Sequence, residues 1–226
     1  MTRSAPRSMT CLPPSMRKNS EAAMTNPTKK KIGIVVSGAS GSVLALESLK
    51  LLRQLAETDP TLQIHAILTD GGRQTASLEL ESHEQALLES LPDHLHDDRD
   101  LTASIASGSN PLDALLIVPC SVRSLSAVAH SQTDRLSIRA ADVMLKERRT
   151  LVLAVRESPL HLGHLQAMQM VTQMGGIIAP PLPAYYLKPQ SITELARQNA
   201  ARLLSLCGLP VGDLMQRWRP ETPSQS

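Results

Sequence analysis

The sequence predicts an α/β domain, a parallel sheet covered on both faces by helices, and three observations carry that prediction. Apolar, β-branched runs alternate along the chain with longer segments of helical periodicity. Strands separated by helices of that length have room only for parallel crossovers. The 226 residues suit one domain with a core of its own.

The elements follow in order. "IGIVVS" reads as a buried strand, and "SVLALESLKLLRQLAE" as a helix with apolar residues at helical spacing. "QIHAILTD" is the second strand, and "GRQTASLELES" starts the next helix. "DALLIVPCS" is the third strand; "SLSAVAHS" and "LSIRAADVMLKERR" are helical. "TLVLAVRE" is the fourth strand. "LHLGHLQAMQMVTQMG" is a helix ending at Gly175-Gly176, "GIIAPPLPAYY" a short fifth strand and loop, and "SITELARQNAARLLSLCG" the closing helix with Ser191 at its N-cap. No internal repeat is visible.

Composition narrows the class. With one Trp, two Tyr and no Phe, the core must be aliphatic. Residues 1–31 hold seven Lys or Arg and one acid, Glu21; the rest holds 16 basic and 20 acidic residues, so a tail of +6 precedes a body of −4. The tail is short, lacks aromatics and contains four prolines and four serines, which predicts a disordered basic segment over 1–29 rather than a nucleic-acid-binding one. Met24 is an alternative start. A domain over 30–219 and a flexible end over 220–226 complete the expected organisation. Three widely spaced cysteines, without C-x-x-C, fit neither a disulfide framework nor a zinc site. No secretory signal and no bilayer-length apolar run is present, so a cytoplasmic protein without membrane or nucleic-acid partners is expected.

In a parallel sheet, ligands sit beyond the carboxyl ends of the strands. Those ends read Ser37-Gly38-Ala39-Ser40, Thr69-Asp70, Pro119-Cys120-Ser121 and Arg156-Glu157. Hydroxyls, small residues, an arginine and a carboxylate would converge on one crevice. The turn after the first strand leads into a helix, whose free N–H groups favour an anion. It is neither of two familiar phosphate loops. Gly33 and Gly38 have the outer spacing of a P-loop, but Ala39 stands where that loop needs lysine, and only Gly38-Ala-Ser-Gly41 of the dinucleotide fingerprint is present. Either it cradles a phosphate or cofactor of another kind, or it is a tight turn that binds nothing.

"SGASGS", "PCSVRSLSAVAH", "RAADVMLKERRTLVLAVRESPLHLGHL" and "PPLPAYYLKPQS", in that order between Lys31 and Trp218, resemble the UbiX family of flavin prenyltransferases, once classed as aromatic acid decarboxylases. The resemblance implies a Rossmann-like (flavodoxin-like) fold and a dodecamer with active sites between subunits. It implies transfer of the dimethylallyl group of dimethylallyl phosphate to N5 and C6 of reduced FMN, without a metal. The prenylated FMN formed would serve a UbiD-type decarboxylase, in ubiquinone biosynthesis or aromatic acid decarboxylation.

Carried over position by position, Gly38, Ala39 and Ser40 would line FMN, with the Ser40 hydroxyl near flavin N5. Thr69 falls where the family usually has a serine on FMN. Ser121, Val122, Arg123 and Ser124 would form the second FMN loop. Arg156 would touch both FMN and the allyl phosphate. Lys146, Tyr186 and Arg202 would complete the phosphate clamp, some of them from a neighbouring subunit. Glu79 and Glu157 match active-site carboxylates and Trp218 the C-terminal tryptophan near the prenyl group. These residue types suit the chemistry. Cations and a phenol neutralise charge growing on a leaving phosphate. A carboxylate such as Glu157 can take the proton lost on ring closure.

Each has a plain alternative: Lys146 a solvated lysine on a charged helix end, Arg202 a surface residue, Tyr186 a ring packed among prolines, Glu157 half of a salt bridge with Arg156, Glu79 one of several solvated acids. His161 and His164 lack a third ligand at fitting spacing and read as helix-start histidines. Cys120 reads as a small core residue. One departure stands out: Thr69-Asp70-Gly71-Gly72 replaces a Ser-Lys-Ala-Ala-like turn, putting an aspartate near the FMN edge. Two rival functions are an FMN-binding accessory protein without transferase chemistry and a flavin-dependent decarboxylase of the same fold. "PCSVRSLS" lacks the asparagine that the decarboxylases carry.

Overall fold

The computed structural model describes residues 29–216; residues 1–28 of the basic tail, Trp218 and residues 220–226 lie outside them. Six strands, β1 (Lys30–Val36), β2 (Leu62–Leu68), β3 (His94–His96), β4 (Ala114–Cys120), β5 (Thr150–Val155) and β6 (Ile177–Ile178), form one sheet in the order β3-β2-β1-β4-β5-β6. Every pairing is parallel. Without the three-residue edge strand β3 the order is that of flavodoxin, 2-1-3-4-5; with it the order is that of the dinucleotide-binding folds. Either way the direction of winding reverses between β1 and β4.

Alternation along the strands builds two aliphatic layers. Ile32, Ile34 and Val36 of β1, with Leu116 and Val118 of β4, meet α1 (Ser42–Thr58) and α7 (Ile192–Leu206) on one face. Val35, Leu115, Ile117, Leu151 and Leu153 meet α4 (Val122–Ala129), α5 (Leu136–Lys146) and α6 (Leu162–Gln173) on the other. Neither core contains an aromatic side chain.

Two elements depart from expectation. The segment after β2 is two helices, α2 (Asp70–Glu79) and α3 (Ser82–Ser90), because Glu81 starts a new capping box with Glu84. β3 was not expected at all, since His94-Leu95-His96 has almost no apolar content. It is held by backbone pairing with β2 and by its histidines: the buried His65 of β2 stacks on His94 and on His96, and its Nδ1 lies 2.9 Å from His96 Nε2. Burial first, then the neighbouring His94, His96 and Lys31 charges, push His65 down to about 4. No helix among the described residues is long and apolar enough to cross a membrane.

Candidate functional site

The carboxyl ends of β1 and β4 diverge around a crevice, as the reversal of winding requires. Its floor is a hydrogen-bonded node on Ser37. The Ser37 hydroxyl donates to the Pro119 carbonyl (2.8 Å) and accepts from the Ser121 N–H (2.8 Å). The Ser37 N–H reaches the same carbonyl at 3.3 Å, and Ala39 N–H turns back to Ser37 O at 2.8 Å. On one side Thr69 N–H donates to Val36 O; on the other Arg156 N–H donates to Cys120 O. Four strand ends are thus tied by backbone.

The turn after β1 needs its glycines. Gly41 has φ of 116° at the N-cap of α1, where a side chain would be strained. A Cβ on Gly38 would meet the Gly71 backbone at 3.0 Å, and one on Gly72 would meet Val36 O at 2.2 Å. The Gly71-Gly72 pair therefore lets the start of α2 lie directly on the β1 turn.

That contact brings Glu79, at the end of α2, over the start of α1. Its carboxylate accepts from Gly41 N–H (2.9 Å) and Ser42 N–H (2.7 Å). Partial burial alone would raise this carboxyl, but hydrogen bonds from the Ser40 hydroxyl and the Ser42 and Gly41 N–H groups outweigh it and hold it below the usual carboxylate range. The anion that the β1 turn cradles is the chain's own Glu79. Ser40, having given its proton to that bond, keeps lone pairs free to accept another N–H.

Across the crevice, Ser121 caps α4, its hydroxyl accepting from Ser124 N–H (3.2 Å) and lying 3.0 Å from Ser124 Oγ. Val122 and Arg123 continue into a groove of about 710 Å³ between α4 and α6, walled by His130, His161, His164 and Met170. His161 is the helix-start histidine expected: its Nδ1 accepts from Gly163 N–H at 3.0 Å. Nothing in its spacing distinguished a groove wall from a cap. Arg156 and Glu157 are exposed beyond β5; Glu157 accepts from Ser158 N–H (2.9 Å), and the two form no ion pair with each other. Cys120 is fully buried, and burial pushes its thiol far up, as suits a core residue.

Thr69 spends its hydroxyl on structure, accepting from Gly72 N–H (3.0 Å) and donating to Val36 O (3.2 Å). Asp70 pairs with Arg99 at 2.8 Å, so the departure from the usual turn is accompanied by a compensating cation. Tyr186 and Arg202 do come together, on a separate pocket of about 150 Å³ with Gln198, Asn199 and Met215. Lys146 pairs with Glu147 and lies beside Gly108 at the last residue of α5. That is the amino end of the sheet; β5 separates it from the crevice by about 20 Å, far beyond the reach of a lysine side chain.

A doubly wound sheet with a small-residue turn, a second hydroxyl-capped helix start and cations at its reversal point defines an α/β nucleotide- or flavin-binding protein. The family described as Flavoprotein matches residues 21–195. Flavin prenyltransferase UbiX of Salmonella typhimurium is 41% identical over 191 residues, 84% of this chain and 98% of that protein. The enzyme of the same description from Thauera aromatica is 41% identical over 83% of this chain and 93% of its own. Among solved structures, AnUbiX in complex with FMN and dimethylallyl pyrophosphate superposes with a TM-score of 0.80 at 36% identity, over 86% of this chain and 100% of that one. A dodecameric FMN-dependent UbiX-like decarboxylase from Escherichia coli gives 0.76 at 33% identity, over 84% and 100%. The chain belongs to the Flavoprotein family and, within it, to the UbiX flavin prenyltransferases.

Proposed function

We propose that this protein joins the dimethylallyl group of dimethylallyl phosphate to N5 and C6 of reduced FMN, yielding prenylated FMN for a UbiD-type decarboxylase in the cytoplasm. The observation that carries the reading is the crevice itself, where Glu79 is held ionised against the Ser40–Ser42 turn opposite Ser121, Arg123 and Arg156. The residues fit a flavin. The Gly38 turn admits close backbone approach, and the α4 start offers N–H groups and hydroxyls.

Reduced FMN supplies the nucleophilic N5 and C6. Gly38, Ala39, Ser121, Val122, Ser124 and Thr69 shape or support its seat. Ser40 accepts from an N–H and relays through Glu79, whose lowered affinity for a proton suits it to orient rather than to store one. Glu157 takes the proton lost on ring closure. Arg156 stabilises the charge growing on the departing phosphate, with Lys146, Tyr186 and Arg202.

Since Lys146 lies at the far end of its own sheet, its part in the clamp is played at the crevice of another copy. Leu162 and Leu165 of α6, 68% and 49% exposed, support such an assembly, dodecameric as in the Escherichia coli relative. Trp218, outside the described residues, would shield the prenyl group. The test is anaerobic incubation with reduced FMN and dimethylallyl phosphate, followed by mass spectrometry of the extracted flavin. A flavin heavier by one five-carbon unit is expected. Bound but unaltered FMN would replace this reading with the accessory role.

A further inference from the structure

Ser37 belongs to no predicted contact with flavin or allyl phosphate, yet it occupies the centre of the crevice floor. It is 1% exposed, one of few buried polar side chains among the described residues. Its hydroxyl has both capacities engaged, donating to Pro119 O and accepting from Ser121 N–H, each at 2.8 Å and each across 82 or 84 residues of sequence. The next residue in one direction is Gly38, and the acceptor side leads straight to the helix cap formed by Ser121 with Ser124. One hydroxyl therefore sets the spacing between the two turns that face each other across the reversal point.

We infer that Ser37 is a positioning residue: its hydroxyl holds the Ser121–Ser124 turn in register with the Gly38–Gly41 turn, and thereby sets flavin affinity without touching the flavin. This rests on the flavin reading given above. The physical basis is the asymmetry of buried hydrogen bonding. Without the hydroxyl, the half-buried Ser121 N–H loses its acceptor, and relief comes most readily by movement of the turn, which has one exposed side. The strand ends keep their own backbone bonds, Ser37 N–H to Pro119 O among them. The loss is thus directed at the turn rather than at the sheet.

The experiment compares FMN binding by flavin fluorescence, well below the melting temperature, in the full-length protein and in Ser37→Ala, Ser37→Thr and Leu88→Ala. Leu88 is buried in α3 and takes no part in the hydrogen bonds of the crevice floor, and its truncation supplies a destabilised control. Ser37→Ala is expected to bind FMN about tenfold more weakly while the KM for dimethylallyl phosphate stays within about twofold. Ser37→Thr, which keeps the hydroxyl, should recover most of the loss, and Leu88→Ala should bind as the parent does. Equal affinity in Ser37→Ala, or equal weakening in Leu88→Ala, overturns the inference. Should Ser37→Ala fail to fold, Ser37→Cys, a similar shape with a weaker hydrogen-bonding group, is read by the same criteria. A parent protein that binds no FMN would instead sink the flavin reading itself.

Discussion

The crevice and the phosphate clamp are built in opposite ways. The crevice is complete within one chain: four strand ends tied by backbone, a buried serine between two of them, and a carboxylate fixed by N–H groups at 2.7 and 2.9 Å. The clamp is dispersed. Lys146 lies at the amino end of the sheet, Tyr186 and Arg202 on a separate pocket, and only Arg156 at the crevice. On the function proposed above, the difference teaches that a single chain preorganises the flavin half of the site, whereas the phosphate half would be assembled by bringing copies together. A pure flavin carrier would have no use for the second half.

The largest effect should come from chemistry. Glu157→Gln is expected to slow prenyl transfer by about 10²- to 10⁴-fold, the usual worth of a general base, with FMN affinity little changed. A collapse of flavin binding would make Glu157 structural. Mixing dissociated and reassembled Glu157→Gln and Lys146→Ala subunits, each nearly inactive alone, should restore about a quarter of the parent rate if the two residues serve one site from different copies. No recovery would place both in one chain and break the comparison.

Next come changes to the backbone floor. Gly72→Ala puts a methyl 2.2 Å from Val36 O, which is backbone and cannot swing away. A loss of about 3 kcal/mol, lowering the melting temperature by about 10 °C, is expected by calorimetry. Gly175→Ala, with open space around its Cβ but φ of 98°, tests strain without a clash and should cost less.

Acid should loosen the β2–β3 edge before it reaches the crevice. His65 binds its proton in the folded protein only at about 4, against 6.5 when unfolded, so the unfolded chain takes up more protons between those values. Stability contributed by neutral His65 is full above about 6.5 and falls as pH drops towards 4, by about 3 kcal/mol at most. Urea unfolding of His65→Gln should show a flatter profile across that window. Glu79, with its proton affinity lowered, acts in the other sense of charge: its contribution is lost only as pH falls below the usual carboxylate range. The smallest effect belongs to Asp70→Asn. Its partner Arg99 is an exposed cation, so melting should shift by no more than about 1 °C and FMN affinity by about twofold or less. A larger shift in affinity would mean that the charge reaches the flavin.

Much of this was legible in the chain. Period and punctuation are local, so the five strands with apolar runs, the N-cap at Ser191 and the aliphatic core could be read directly. The cradle after β1 was legible as an anion site because a strand, small residues and a helix start are consecutive. Its occupant was not. Glu79 is 37 residues from Ser42 and sits in a run of acids that look alike in sequence. The edge strand β3 was illegible for a related reason: backbone pairing to β2 and stacking on His65 hold it, and neither leaves an apolar pattern.

What the sequence determined by itself was therefore the class of fold, the end of the sheet where a ligand must sit, and the kinds of group available there. Those follow from forces acting between residues a few positions apart: strand alternation, helix periodicity, capping and the conformational freedom of glycine. Only the tertiary structure decided that Ser37 joins two turns 82 to 84 residues apart, that Glu79 fills the cradle, and that Lys146 faces away from its own crevice. Those depend on which strand lies beside which and on how long each strand is. A sheet separates its two ends by the full length of its strands, whatever the order of residues along the chain.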